Sequence, residues 1–263
     1  MTRYLSLYIL YLRIAIKVPL QYRADLWIGF VSTAIAQGMT ILFISVIFTK
    51  IRVIEGWGFY EVVLIYGLTT ASRYGSDVFL NMPMGLHWFI VNGDLDIVLV
   101  RPANALFQMI GSAGNFFPAI GHMAVGIAAI IFGLRGLDVQ FHAWWTLYIP
   151  VVIVSGTVLF YAIRLMAASI GFWATDARSL IYPLSWFSDF AQFPAVVYPA
   201  PILIILAWVL PYAMMGFYPA AFMVRGGEYR VMGLIAPFMG WAFLGVSLLV
   251  WRAGIRRYES SGS

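Results

Sequence analysis

Long apolar runs alternate with short charged interruptions along this chain, and the runs have the length of bilayer crossings rather than the one-sided stripe of a soluble helix. Leu26 to Phe48 is 23 residues without a charge, enough at ~1.5 Å per residue to cross ~30 Å of hydrocarbon. A second crossing is expected at 59–81, interrupted by Arg73 and Asp77 one helical turn apart. Ala103 to Leu134 carries no Asp, Glu, Lys or Arg over 32 residues. That exceeds one crossing, so a third span is expected at 106–132, with a kink at Pro118. Further spans are expected at 144–174, which contains Arg164, at 179–198, which contains Asp189, and at 231–251. Residues 1–25 mix Arg3, Arg13, Lys17 and Arg23 with Leu, Ile and Tyr. They are too charged to span and too apolar for water. An interfacial helix follows, ended by Pro19, with basic side chains snorkelling to headgroups.

The block 199–224 is apolar but carries Pro199, Pro201, Pro211 and Pro219. Proline interrupts the helical hydrogen-bond ladder, and bare backbone groups are tolerated at membrane depth only against protein or a cavity. The block is therefore expected to be a re-entrant hairpin of short helices. This makes the number of crossings six and puts both termini on one side. Cytoplasmic segments then hold nine Lys/Arg and external segments five, with Arg73 and Arg164 inside the membrane, in the sense of the positive-inside rule. The fold expected is an all-α integral membrane protein with six transmembrane helices and an N-terminal interfacial helix. A cytoplasmic helix follows the second span, and a re-entrant hairpin precedes the last.

Composition agrees with the pattern. The chain is 62% hydrophobic and 10% charged with a mean hydropathy of +0.88, where soluble domains sit near ~45–50% and ~25%. The net charge of +5 comes from residues flanking apolar runs, so it points to headgroups and not to nucleic acid. Without cysteine there are neither disulfides nor thiolate metal sites. The first 25 residues lack the apolar core and cleavage site of a signal peptide.

Between the second and third spans lies the most unusual stretch, MGLHWFIVNGDLDIVLVRPANALFQ at 84–108, with charges, a glycine turn and an Arg-Pro break. It resembles the corresponding part of ABC-2 type exporter permeases, most specifically NGDLDIVLVRPANALFQ at 92–108. YRADLWIG at 22–29, WVLPYAMMGFYPAAFMV at 208–224 and GIRRYESSGS at 254–263 are similar to a bacterial subgroup first described as a family of unknown function. The resemblance implies a permease in the bacterial plasma (inner) membrane that dimerises with an identical or related permease. It further implies two copies of a separate ATPase subunit, which hold ATP and Mg. No cofactor is expected on this chain. Its sequence contains no G-x-x-x-x-G-K-[ST] phosphate loop, so ATP hydrolysis is expected on the partner. The chain departs from the subgroup's small and leucine residues at the coupling turn by carrying Trp88 and Phe89.

Residues 84–102 are therefore expected to couple to the ATPase. Leu86, His87, Trp88, Phe89, Ile90 and Val91 would form a short docking helix; the alternative is an amphipathic helix on the headgroups. Asp94, Asp96 and Arg101 would hold the return strand and pair with the ATPase or the N-terminal helix, with Pro102 fixing the entry into the third span, or else the three would be solvated loop charges worth under ~1 kcal/mol each.

Intramembrane charges mark functional sites by default. Arg73 and Asp77, spaced i, i+4, are expected to face each other along one helix, and Arg164 and Asp189 to pair across two. Together they would form a charge clamp or, alternatively, a substrate contact. Trp208, Tyr212, Met214, Met215, Phe217 and Tyr218 are candidates for an outer gate, with ordinary interfacial packing as the alternative. His87, His122 and His142 are scattered, and neither a metal site nor a catalytic triad is visible. GSAG at 111–114 reads as a close-packing stretch. Apart from an exporter subunit, the pattern leaves an ion-coupled secondary carrier or channel, which would need an internal repeat or a polar file.

Overall fold

A computed structural model describes residues 2–80, 86, 89–90, 92–110, 116–174 and 178–258. Among them the chain is helical, with one isolated bridge between Ile54 and Trp57. In order come α1 (Thr2–Gln21), α2 (Arg23–Lys50), α3 (Phe59–Phe79), α4 (Asp94–Val100), α5 (Ala105–Ile110), α6 (Phe116–Gly136), α7 (Trp145–Ser169), α8 (Arg178–Phe187), α9 (Ala200–Ile204), α10 (Phe217–Arg225) and α11 (Arg230–Arg257). Among the described residues four helical stretches are long and apolar enough to cross a membrane: Arg23–Lys50, Phe116–Gly136, Trp145–Phe172 and Gly227–Arg257. Helix α3 has the length, 21 residues, but carries Glu61, Arg73 and Asp77.

Backbone contact holds the bundle together. A Cβ on Gly67 of α3 would lie 2.7 Å from the Ile130 backbone nitrogen of α6, and one on Gly126 of α6 only 2.6 Å from that of Ala71. In a lipid solvent, association comes from such close packing and from hydrogen bonds rather than from apolar burial. Helices α7 and α11 meet in the same way: Ser155 Oγ donates to the Ala236 carbonyl at 3.1 Å and accepts from the Gly240 amide at 3.2 Å.

The two ends of the bundle differ. At one, α1 lies against the end of α3 and the start of α5, with the Tyr8 hydroxyl donating to the Phe79 carbonyl and Tyr4 edge-on to Phe107. Helix α1 runs on through Pro19 to Gln21, two residues beyond the expected stop. At the other end, Glu61 caps α3 by accepting from the Gly58 amide at 2.6 Å and also binds Arg225. The Arg225 guanidinium stacks 3.7 Å from the centroid of buried Trp57.

The expected crossing at 179–198 is not one continuous helix. Helix α8 has 10 residues, about 15 Å. It passes into a tight 3₁₀ turn at Ser188–Gln192, and a second short turn follows Pro194. Beyond Pro199 come α9 and a π turn at Ile205–Val209. The chain returns to mid-bundle at Tyr212, whose hydroxyl donates to the Leu184 carbonyl at 2.9 Å. It then leaves through α10 toward Glu61. Prolines at 194, 199 and 211 lie at the later breaks, where they cannot donate to a helical ladder. The irregular backbone lies against protein: Leu206, Ala207, Ala213 and Met215 are all buried.

Candidate functional site: crossed ion bridges behind a polar cleft

The four charges expected within the membrane meet in one region, with partners exchanged relative to the sequence expectation. Arg73 of α3 pairs with Asp189 in the Ser188–Gln192 turn, and Asp77 of α3 pairs with Arg164 of α7. Positions four apart are offset by about 40° around a helix. Arg73 and Asp77 therefore lean toward different neighbours, and each finds its counter-charge there. The exchange ties α3 to two other elements, which an intrahelical pair would not do. Phe160 lies between the guanidinium groups, 5.7 Å from that of Arg73 and 5.2 Å from that of Arg164, adding cation–π attraction to both.

The bridges are unequally buried. Side-chain exposure is 5% for Arg164 and 22% for Asp77, but 16% for Arg73 and 53% for Asp189. The first is an internal strut. The second opens onto a cleft of about 580 Å³ lined by Ala36, Gln37, Met39, Thr40 and Phe43 of α2, Arg73 and Tyr74 of α3, and Trp186, Asp189, Gln192 and Phe193. Two other cavities, bounded by Ile41 to Phe132 and by Ile127 to Val154, are almost wholly apolar.

The back of the cleft is a polar network missing from the sequence expectation. Gln37 contacts His122 and accepts from the Tyr66 hydroxyl; Thr33 also reaches His122. Tyr74 stacks on the His122 ring at 4.0 Å and 10°. The available signal was Gln37, the one amide in the uncharged run from Leu26 to Phe48. An amide in a crossing needs a protein partner. His142 lies elsewhere, among Trp144 and Trp145.

A family model described as ABC-2 family transporter protein matches residues 34–262. The chain belongs to that family. No curated protein and no solved structure matches it. The crossed bridges and the cleft are thus features of an ABC-2 transporter's membrane domain.

In this ABC-2 protein the segment after α3 is fastened by its apolar side. Leu86, Leu95, Val98 and Met109 are buried in one cluster with Tyr161 and Leu165 of α7 and Trp251 of α11, and Phe89 and Ile90 pack against it. Gly93 takes a left-handed φ of 75° at the start of α4. Asp94 and Asp96 occupy the first turn, where carboxylates favour the helix dipole. Asp96 lies beside Tyr258, whose ionisation is opposed by burial and by that carboxylate. Gln108 donates to the carbonyls of Val98 and Ala103, pinning the return turn. Arg101 and Pro102 are exposed, and so are Ile97, Leu99 and Val100. His87, Trp88 and Val91 lie outside the described residues, as do residues 111–114.

The candidate gate residues are mostly packed. Tyr212, Met214, Met215, Phe217 and Tyr218 are buried, Phe217 against Trp57 and Tyr229, while Trp208 is exposed. These five belong to the main buried core of the bundle.

Proposed function

We propose that this chain is the permease subunit of an ATP-driven exporter. It works as a pair with an identical or related permease, in a bacterial plasma membrane with both termini cytoplasmic. A separate ATPase, present in two copies and holding ATP and Mg, supplies the energy. In this reading the chain crosses six times and 199–224 is a re-entrant hairpin, whose packed aromatics and methionines are a closed outer gate. The translocation path lies where two permeases meet, along α2 and the cleft. ATP-driven closure of the ATPases rocks the two permeases between inward and outward states.

The observation that carries the reading is the two-sided build of α4. Leu95 and Val98 are buried in the bundle, while Ile97 (54%), Leu99 (43%) and Val100 (84%) are exposed, beside Asp94 and Arg101. A short helix held by one face and apolar on the other is suited to seat in a partner's groove and pass on its movement. The inward-facing Leu86 belongs to the fastening, and Ile97, Leu99 and Val100 make the contact.

The test is capture of the cognate ATPase by tagged permease, comparing wild type with Ile97→Glu/Val100→Glu. Both positions are exposed, so the variant keeps its fold. Capture by wild type and at least tenfold less by the variant supports the reading. Equal capture by both removes α4 as the contact, and no capture by wild type favours an ion-coupled carrier.

A further inference from the structure

We propose that the cleft between α2 and the Ser188–Gln192 turn binds the cargo, and that it selects amphipathic molecules with a cationic group. This rests on the transport reading and names the substrate class for its path.

The charge facing the cleft is negative, although the Arg73–Asp189 pair sums to zero. Asp189 is 53% exposed and Arg73 only 16%, so an incoming group meets the carboxylate before the guanidinium. Arg73 Nη1 and Gln192 Nε2 both donate to Oδ1 of Asp189. Among the described residues nothing is bonded to Oδ2, which is left free to accept from an ammonium or to face a quaternary cation. The other charges at this depth, Asp77 and Arg164, neutralise each other deeper in the bundle. Helix α2, the opposite wall, contributes no charge at all between Leu26 and Phe48.

The apolar part of the lining has the matching chemistry. Trp186 is 62% exposed and Phe43 56%, and both rings line the cleft with Asp189. Aromatic faces attract cations and also accept acyl or aryl groups. A volume of about 580 Å³ falls in the ~300–1,000 Å³ range of small-molecule sites. An anionic head would meet the more exposed Asp189 carboxylate before the Arg73 guanidinium. A neutral head without an N–H or O–H donor would leave the free Oδ2 unpaired.

The probe is radiolabelled tetraphenylphosphonium, and the assay is saturation binding to the purified full chain in detergent micelles. Saturable binding is expected, not displaced by neutral triphenylphosphine oxide. Asp189→Asn should weaken it at least tenfold, Asp189→Glu should retain most of it, and Trp186→Ala should weaken it about threefold. Should Asp189→Asn fail to fold, the exposed Trp186 variant and the neutral competitor still decide. Absent saturable binding, a neutral analogue that competes equally, or wild-type affinity in Asp189→Asn would overturn the proposal. Because the assay needs no ATPase, its failure alongside intact ATPase capture removes the cation site and leaves the exporter reading standing.

Discussion

Helix α2 and the stretch Trp145–Phe172 that holds α7 are almost equally apolar, yet 17% of the most apolar part of one and 78% of that of the other is buried inside the protein. Apolar character earns a helix its place in the membrane and says nothing about where in the bundle it sits. The difference lies in the few residues that are not bulky and apolar. Helix α7 carries Ser155, Gly156, Thr157 and Arg164 on its buried surface. Thr157 donates to the Ser72 carbonyl of α3, Gly156 abuts the Ser72 side chain, and Arg164 reaches Asp77. Helix α2 offers Thr33 and Gln37 to α6 and α3, and otherwise turns Trp27, Val31, Ile35, Met39 and Leu42 outward. One helix is the axle of the domain, and the other is an exposed wall.

The largest test of that contrast is Arg164→Leu. Removing one partner of a buried ion pair leaves the other charge uncompensated, typically at a cost of about 3–5 kcal/mol. The expected outcome is a large loss of folded protein and of melting temperature in detergent. The double variant Arg164→Leu/Asp77→Leu should recover most of the loss. A single variant as stable as wild type would show that α7 is not organised around this bridge. Gly126→Val comes next. Its side chain would enter the backbone of Ala71, and overpacking typically costs about 1–3 kcal/mol, read as a lower melting temperature with the protein still monodisperse. A melting temperature unchanged by Gly126→Val would mean that α3 and α6 are not in backbone contact.

A smaller effect is expected at the far end, where Arg225→Lys keeps the charge but loses the fork to Glu61 and the flat stack on Trp57. A loss of about 1 kcal/mol is expected, measured as a modest shift in melting. Smallest of all, Val31→Leu or Ile35→Leu on the outward face of α2 should move stability by less than about 0.5 kcal/mol. A large destabilisation there would mean that this face is packed and not a wall.

Much of this was legible in the sequence, for identifiable reasons. Long apolar runs, free of charge except for Arg164 in α7, reported α2, α6, α7 and α11 directly, because lipid leaves a spanning backbone few alternatives to a helix. Prolines announced the irregular path after Pro194. They also break 179–198, where counting apolar residues gave a single span and Asp189 sits in a 3₁₀ turn. The four charges could be named because they are rare in apolar runs. Their pairing could not, since i, i+4 spacing knows nothing of what stands on either side of α3. Leu86 illustrates the same blindness: its apolar side chain reads as seated in a partner's groove or on the headgroups, and only the cluster with Leu95, Val98 and Trp251 shows it turned into the bundle. Gln37 and His122 were overlooked because each, taken alone, is an ordinary polar residue in a helix.

The most direct test is the ATP hydrolysis rate of the cognate ATPase, measured in proteoliposomes alone, with wild-type permease and with the Ile97→Glu/Val100→Glu permease. Wild type is expected to change the rate several-fold, while the variant leaves it at that of the ATPase alone. A rate indifferent to wild-type permease would contradict the claim that this ABC-2 chain is driven through α4.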